Sequence, residues 1–196
     1  NGSLLSLSYG YGKMQLVLHE EVNGQKQGGV IDIPGVSFYT GVMRGRYNPQ
    51  DGNLYACGMA AWATSKNIRP GDLYRIRYTG NPLPLPVDLK ALTTGIELGF
   101  AEELDQELAT NTAQYQVKTW ELVRSSRYGS DRFNQKTLHI TKAVLQPDGK
   151  SVKLYIRNIK PVDVMTISYQ LKDQKGNPMQ GTVQNTIHNL RSEPDA

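Results

Sequence analysis

The chain has 196 residues, 38% hydrophobic and 20% charged, with 19 glycines, 10 prolines, three histidines and one cysteine. That length buries one large core or two small ones, and the balance excludes a disordered, collagen-like or disulfide-stapled chain. The net charge of +4 arises from basic residues scattered among acidic ones; this is the pattern of a solvated surface and gives no nucleic-acid-binding stripe.

No apolar run approaches the roughly 18 residues of a membrane-spanning helix, so no membrane span is expected. The chain begins at Asn1 rather than Met. This reads as a boundary inside a longer chain, with any signal peptide upstream.

Six strands are predicted in the first part, at residues 3–9, 14–19, 29–33, 41–47, 54–58 and 73–78. These runs are short, rich in β-branched and aromatic residues, and separated by Gly, Asn, Asp or Pro. Asn23-Gly24 and Asp51-Gly52 are expected to close hairpins, because both pairs tolerate the positive φ of primed turns. Gly10-Tyr11-Gly12-Lys13 is too short for a phosphate-binding loop and reads as a turn.

The alternating prolines of Asn81-Pro82-Leu83-Pro84-Leu85-Pro86 remove backbone donors and favour extended geometry. They mark a stiff linker at residues 82–86, which divides a first β domain (1–81) from a second (87–190) and a tail (191–196).

Beyond it, strands are predicted at 95–100, 115–123, 136–145, 151–156, 164–171 and 181–188, with Gln146-Pro147-Asp148-Gly149-Lys150 as a turn. The one helical candidate is 104–112, with Asp105 as its N-cap and a single turn as its expected form. Seven or so short strands at this spacing suggest a β-sandwich.

Catalytic signatures are sparse. There is no GxSxG elbow, and His19, His139 and His188 are far apart in sequence, so a metal site would require them to converge. Cys57 follows Tyr55-Ala56 in an apolar strand and is expected to be a buried small hydrophobe. Glu102, Glu103, Asp105 and Glu107 lack the ligand alternation of a calcium loop and read as solvated; turn chemistry accounts for Asp148 and Asp173. No catalytic or metal residue is assigned.

The best functional candidates are Arg44, Arg46, Tyr47, Trp62, Arg69 and Arg75. Aromatic faces stack on sugar rings and arginine forks hold carboxylates or sulfates, so the group could line a carbohydrate surface. The plainer reading is that these arginine stems and aromatic rings pack between the blade and its neighbours or against the sandwich.

The stretch 44–80 resembles one blade of a β-propeller, a sheet whose faces pack on neighbouring blades. Gly41-Val42-Met43-Arg44-Gly45-Arg46-Tyr47, Asp51-Gly52-Asn53-Leu54-Tyr55, Gly71-Asp72-Leu73-Tyr74-Arg75-Ile76-Arg77-Tyr78 and Asn185-Thr186-Ile187-His188 make the chain similar to the C-terminal region of large secreted bacterial proteins with a glucose/sorbosone dehydrogenase-like propeller. The second half, through Gly95-Ile96-Glu97-Leu98-Gly99-Phe100, Leu104-Asp105 and Asp173 with Gly176-Asn177-Pro178, resembles bacterial Ig-like domains of the S-layer and copper-resistance type.

The resemblance implies an all-β chain, a propeller-blade-like antiparallel sheet followed by an Ig-like β-sandwich, in a periplasmic or secreted protein. Its partners would be the remaining blades of a longer chain or another copy, with carbohydrate as a candidate ligand. Dehydrogenases of that group oxidise sugars with pyrroloquinoline quinone and calcium, using a histidine on an early blade. No segment here matches that histidine motif, so the resemblance implies a non-catalytic scaffold or binding module, or else part of a dehydrogenase whose active site lies mostly elsewhere.

Overall fold

The computed structural model describes residues 3–60 and 68–193. Among these the chain is all-β, with fourteen strands, one five-residue α-helix and a short 3₁₀ turn. The sheets are antiparallel and none closes into a barrel. Contacts divide the chain into two compact units, Asn1–Val17 with Asp32–Leu83, and Leu18–Ile31 with Pro84–Ala196.

This division differs from the sequence boundary in the fate of residues 18–31, which belong to the second unit. They lie in the hairpin of β2 (Lys13–Val22) and β3 (Gln25–Ser37), strands long enough to serve both units in turn. The hairpin closes on Asn23-Gly24 with φ of 53° and 77°, as a primed turn requires.

In the first unit, β1 (Leu4–Ser8) pairs with the start of β2, from Leu4 opposite Val17 to Ser8 opposite Lys13. β4 (Gly41–Tyr47), β5 (Leu54–Met59) and β6 (Gly71–Ile76) form a three-stranded sheet in sequence order. Its inner face is packed: Val42, Leu54 and Ala56 are buried, and methyl groups of Leu7 and Leu54 close over Gly45. Phe38 sits 4.8 Å from Tyr74, ring to ring, and the Tyr74 hydroxyl accepts from the Tyr39 amide at 3.0 Å. Each buried Val, Leu or Phe here contributes about 1.5–3 kcal/mol.

Asp51-Gly52 does not form the expected two-residue turn. It ends a longer loop in which the Gly52 amide donates to the Asn48 carbonyl and the Gln50 amide to Asn48 Oδ1. Gly52 has positive φ and Asp51 does not, which is why a primed turn does not fit.

The second unit holds two sheets. In one the order is β11 (Ile140–Leu145), β12 (Ser151–Ile156), β8 (Gly95–Phe100) and β7 (Pro86–Leu92). In the other, residues 25–31 of β3 are followed by β14 (Pro178–Ile187), β13 (Val162–Lys172), β9 (Tyr115–Glu121) and β10 (Phe133–Leu138). Along β13, Ile167, Tyr169 and Leu171 are buried while Gln170 and Lys172 are exposed, the period-two pattern of a half-buried strand. Phe100 and Tyr169, one from each sheet, meet edge to face at 5.5 Å, so the two buried faces share a core with Ile96, Leu98, Leu154 and Val183.

The short helix α1 (Gln106–Thr110) is capped as expected, with Asp105 Oδ1 accepting from the Leu108 amide at 2.8 Å. Two expectations fail. Leu85 is fully buried and Pro86 opens β7, so the second half of the expected stiff linker, 82–86, belongs to the core. β7 is an edge strand, where a residue without an N–H is tolerated. The run 136–145 is two strands, because the chain changes sheets at His139.

A buried polar cluster ties the chain's end to this unit. Glu20 Oε1 accepts from the Gln27 amide group and the Ala91 backbone, both at 2.8 Å, and Glu20 Oε2 pairs with Arg191 at 3.3 Å. Gln27 Oε1 accepts from the His188 and Asn189 amides.

Candidate functional site

Strand alternation makes the outer face of the three-stranded sheet the mirror of its packed inner face. Register aligns Arg44 of β4, Cys57 of β5 and Leu73 of β6 in one cross-strand row. The next row is Arg46, Tyr55 and Arg75, and a further row sets Met59 opposite Gly71. A bulge between Val42 and Arg44 leaves Met43 unpaired, and this extra residue restores the outward aim of Arg44.

Rows two residues apart lie about 7 Å from each other and neighbouring strands about 4.8 Å, so Arg46 and Arg75 flank Tyr55 across about 10 Å. Leu73 is 69% exposed, and Met43, Met59 and Cys57 are exposed beside the arginines. The exposure of Cys57 corrects the expectation of a buried thiol. Leu54 and Ala56 take the inner positions of β5, and alternation turns Cys57 outward.

Of the candidate residues, the structure brings Arg44, Arg46 and Arg75 onto this one face. Arg46 Nη1 donates to the Gly45 carbonyl at 2.9 Å, while Arg44 and Arg75 have no ion-pair partner among the described residues. Tyr47 does not join them: it pairs with Leu54 at the end of β4, on the opposite side of the sheet. Arg69 is engaged elsewhere, stacked 4.7 Å from the Tyr39 ring centroid and paired with Asp72 at 2.9 Å. Trp62 lies outside the described residues. Sequence reasoning missed Tyr55, Met59 and Leu73, although period-two counting from Arg75 places Leu73 on the same face.

No acidic side chain lies in the two arginine rows. Asp72 pairs with the inner-facing Gly58 and bonds Arg69. Asp51, at the loop edge, accepts from the Tyr55 hydroxyl at 2.8 Å. Backbone donation from Asn53, the largest cause, together with this phenol holds the Asp51 carboxyl below its usual range. The face is cationic and partly apolar.

The other candidates have structural duties. Glu102 faces Lys175 at 3.8 Å, and Asp105 caps α1. Asp173 accepts from Asn177 Nδ2 and from the amides of Lys175 and Asn177; with the Asn177 side chain as the largest cause, these bonds lower its pKa. His19 lies in β2, His139 falls between β10 and β11, and His188 follows β14. Among the described residues no three His, Cys, Asp or Glu side chains converge as a metal site would require.

Fold and face together define an all-β protein of two compact units, one of which presents an unpaired arginine-bearing sheet face. No protein-family model, curated protein or solved structure matches the chain.

Proposed function

We propose that this chain is a non-catalytic scaffold or binding module of a larger exported protein, in which the outer face of the three-stranded sheet is a docking face. The observation that carries this is the asymmetry of the sheet: Val42, Leu54 and Ala56 are packed beneath it, while Leu73, Met59 and Cys57 stand exposed among Arg44, Arg46 and Arg75. A propeller blade buries both faces. In this reading the sheet is propeller-blade-like, the two-layer unit is an Ig-like β-sandwich, and preceding blades of a longer chain or another copy cover the face.

A carbohydrate ligand on the same face has weaker support. The aromatic residue in the arginine rows is Tyr55, which is half-buried and holds its hydroxyl on Asp51, so little ring is left for a sugar to stack on. Quinone-dependent sugar oxidation, if the whole protein performs it, belongs to residues outside this chain. Of the carboxylates considered for calcium, Asp105 caps α1, Asp173 accepts within its turn and Glu102 faces Lys175.

Dye reduction by the purified chain with pyrroloquinoline quinone, calcium and glucose tests the non-catalytic reading. No turnover is expected, and turnover by these residues alone would overturn it. Affinity electrophoresis with neutral glucans tests the face itself. Retardation abolished by Arg46→Ala would favour the carbohydrate reading over docking.

A further inference from the structure

The connection between β9 and β10 has no part in that docking face. Its residues, Leu122-Val123-Arg124-Ser125-Ser126-Arg127-Tyr128-Gly129-Ser130-Asp131-Arg132, combine arginine, serine and a single aromatic ring. Hydrogen bonds within the loop and to β13 hold its backbone. The Leu122 amide donates to Asp163 Oδ2 at 2.8 Å, the Val123 amide to Ser130 Oγ at 2.9 Å, and the Arg127 amide to Ser125 Oγ at 3.2 Å. Gly129, at φ 82°, turns the chain back.

The loop borders an open surface cleft of about 650 Å³, lined by Arg124, Ser125, Ser126, Tyr128, Ser130 and Asp163. Tyr128 is fully exposed, leaving its ring free to stack. The charges around it are unequally engaged. Arg127 pairs with Asp131 at 2.6 Å, both exposed, and Asp163, still a carboxylate, accepts from the Leu122 amide through Oδ2. Arg132 lies over the Trp120 ring, 4.4 Å from its centroid, with no carboxylate partner among the described residues. Arg124 has no ion-pair partner among the described residues. What remains unengaged is one open aromatic ring and an arginine fork, since the Ser125 and Ser130 hydroxyls are used within the loop.

We propose that this cleft binds an acidic polysaccharide, with a pyranose ring stacked on Tyr128 and its carboxylate or sulfate held by Arg124. An aromatic face meets the axial C–H groups of a sugar, and a guanidinium fork matches a planar or tetrahedral oxyanion. A protein partner would call for a contiguous apolar centre. Here the large apolar side chains at the cleft are Leu122 and Val123, each about half-exposed, beside the Tyr128 ring. The loop is pre-ordered, which lowers the entropic cost of binding.

Affinity electrophoresis in 0.15 M salt tests this, with polygalacturonate as the carboxylated probe, dextran sulfate as the sulfated one, and neutral dextran and poly-glutamate as controls. Retardation by at least one acidic polysaccharide is expected, with apparent affinity reduced at least tenfold in both Tyr128→Ala and Arg124→Ala and unchanged melting temperatures. The polysaccharide that binds identifies the oxyanion. Absence of retardation by both polysaccharides overturns the proposal. So does wild-type binding by Tyr128→Ala, which would reduce the effect to net positive charge, and so does equal retention of poly-glutamate, which would point to an acidic protein partner.

Discussion

Replacing Asn185 by Leu should stabilise this protein. Asn185 lies on β14 between Val183 and Ile187, facing the core at 3% exposure, and pairs with Met165 on one side and Gly29 on the other. Neither Nδ2 nor Oδ1 has a hydrogen-bond partner among the described residues. Leaving a buried polar group unbonded costs about 1–3 kcal/mol, so the amide carries two such penalties. Leucine has the same branching and number of heavy side-chain atoms, and it adds no atom at Cβ, where Gly29 is already in close approach. Its two methyls are bulkier than the amide, and the resulting strain offsets about 1–3 kcal/mol of the gain. A net stabilisation of about 2 kcal/mol follows, which in a chain of this length raises Tm by about 4–8 °C. Differential scanning calorimetry at neutral pH measures it. A fall in Tm would refute the reasoning, because it would mean the amide is bonded in solution, for instance to a buried water.

Other consequences are as direct. Gly58→Ala would drive a Cβ into the Gly41 carbonyl oxygen; overpacking against backbone should cost about 3 kcal/mol in urea unfolding, with loss of amide-exchange protection across β4 and β5. Glu20→Ala removes the acceptor of the Ala91 N–H and of one Gln27 Nε2 proton, the other still reaching the Asn189 carbonyl, and a loss of about 3 kcal/mol is expected where a charged acceptor is removed; an unchanged urea midpoint would contradict the cluster. Asp173 and Asp148 are lowered below the usual carboxylate range, chiefly by the side chains of Asn177 and Ser151 respectively. Their folded values lie below the unfolded ones, so the stability they contribute is present above about pH 4 and is lost as pH falls through the folded values. The urea midpoint should decline on the acid side of pH 4, less steeply in Asn177→Ala.

Much of this fold is legible because strands announce themselves locally. The six runs of the first part each overlap one of six strands, and Asn23-Gly24 and Asp105 act as their chemistry dictates. What escaped is non-local. Nothing within 14–33 signals that β2 and β3 continue far enough to change units, because the alternation that marks a strand is the same on either side of the boundary. Pro82 to Pro86 reads as a linker until the burial of Leu85 is known, and His139 gives no sign that its two flanks join different sheets. At the candidate site, alternation correctly groups Arg44 with Arg46. It cannot reveal that Arg69 is held by Tyr39 and Asp72, partners that tertiary contacts supply.

The docking face is tested most directly at Cys57, the chain's one cysteine, which stands in the row between Arg44 and Leu73. Maleimide labelling of the native thiol should be fast in this chain at low concentration. It should be slowed at least tenfold in a longer protein that includes the preceding region, or with rising concentration if a second copy is the cover. An equal labelling rate in every one of these settings would mean the face stays open to solvent, and would contradict the scaffold assignment.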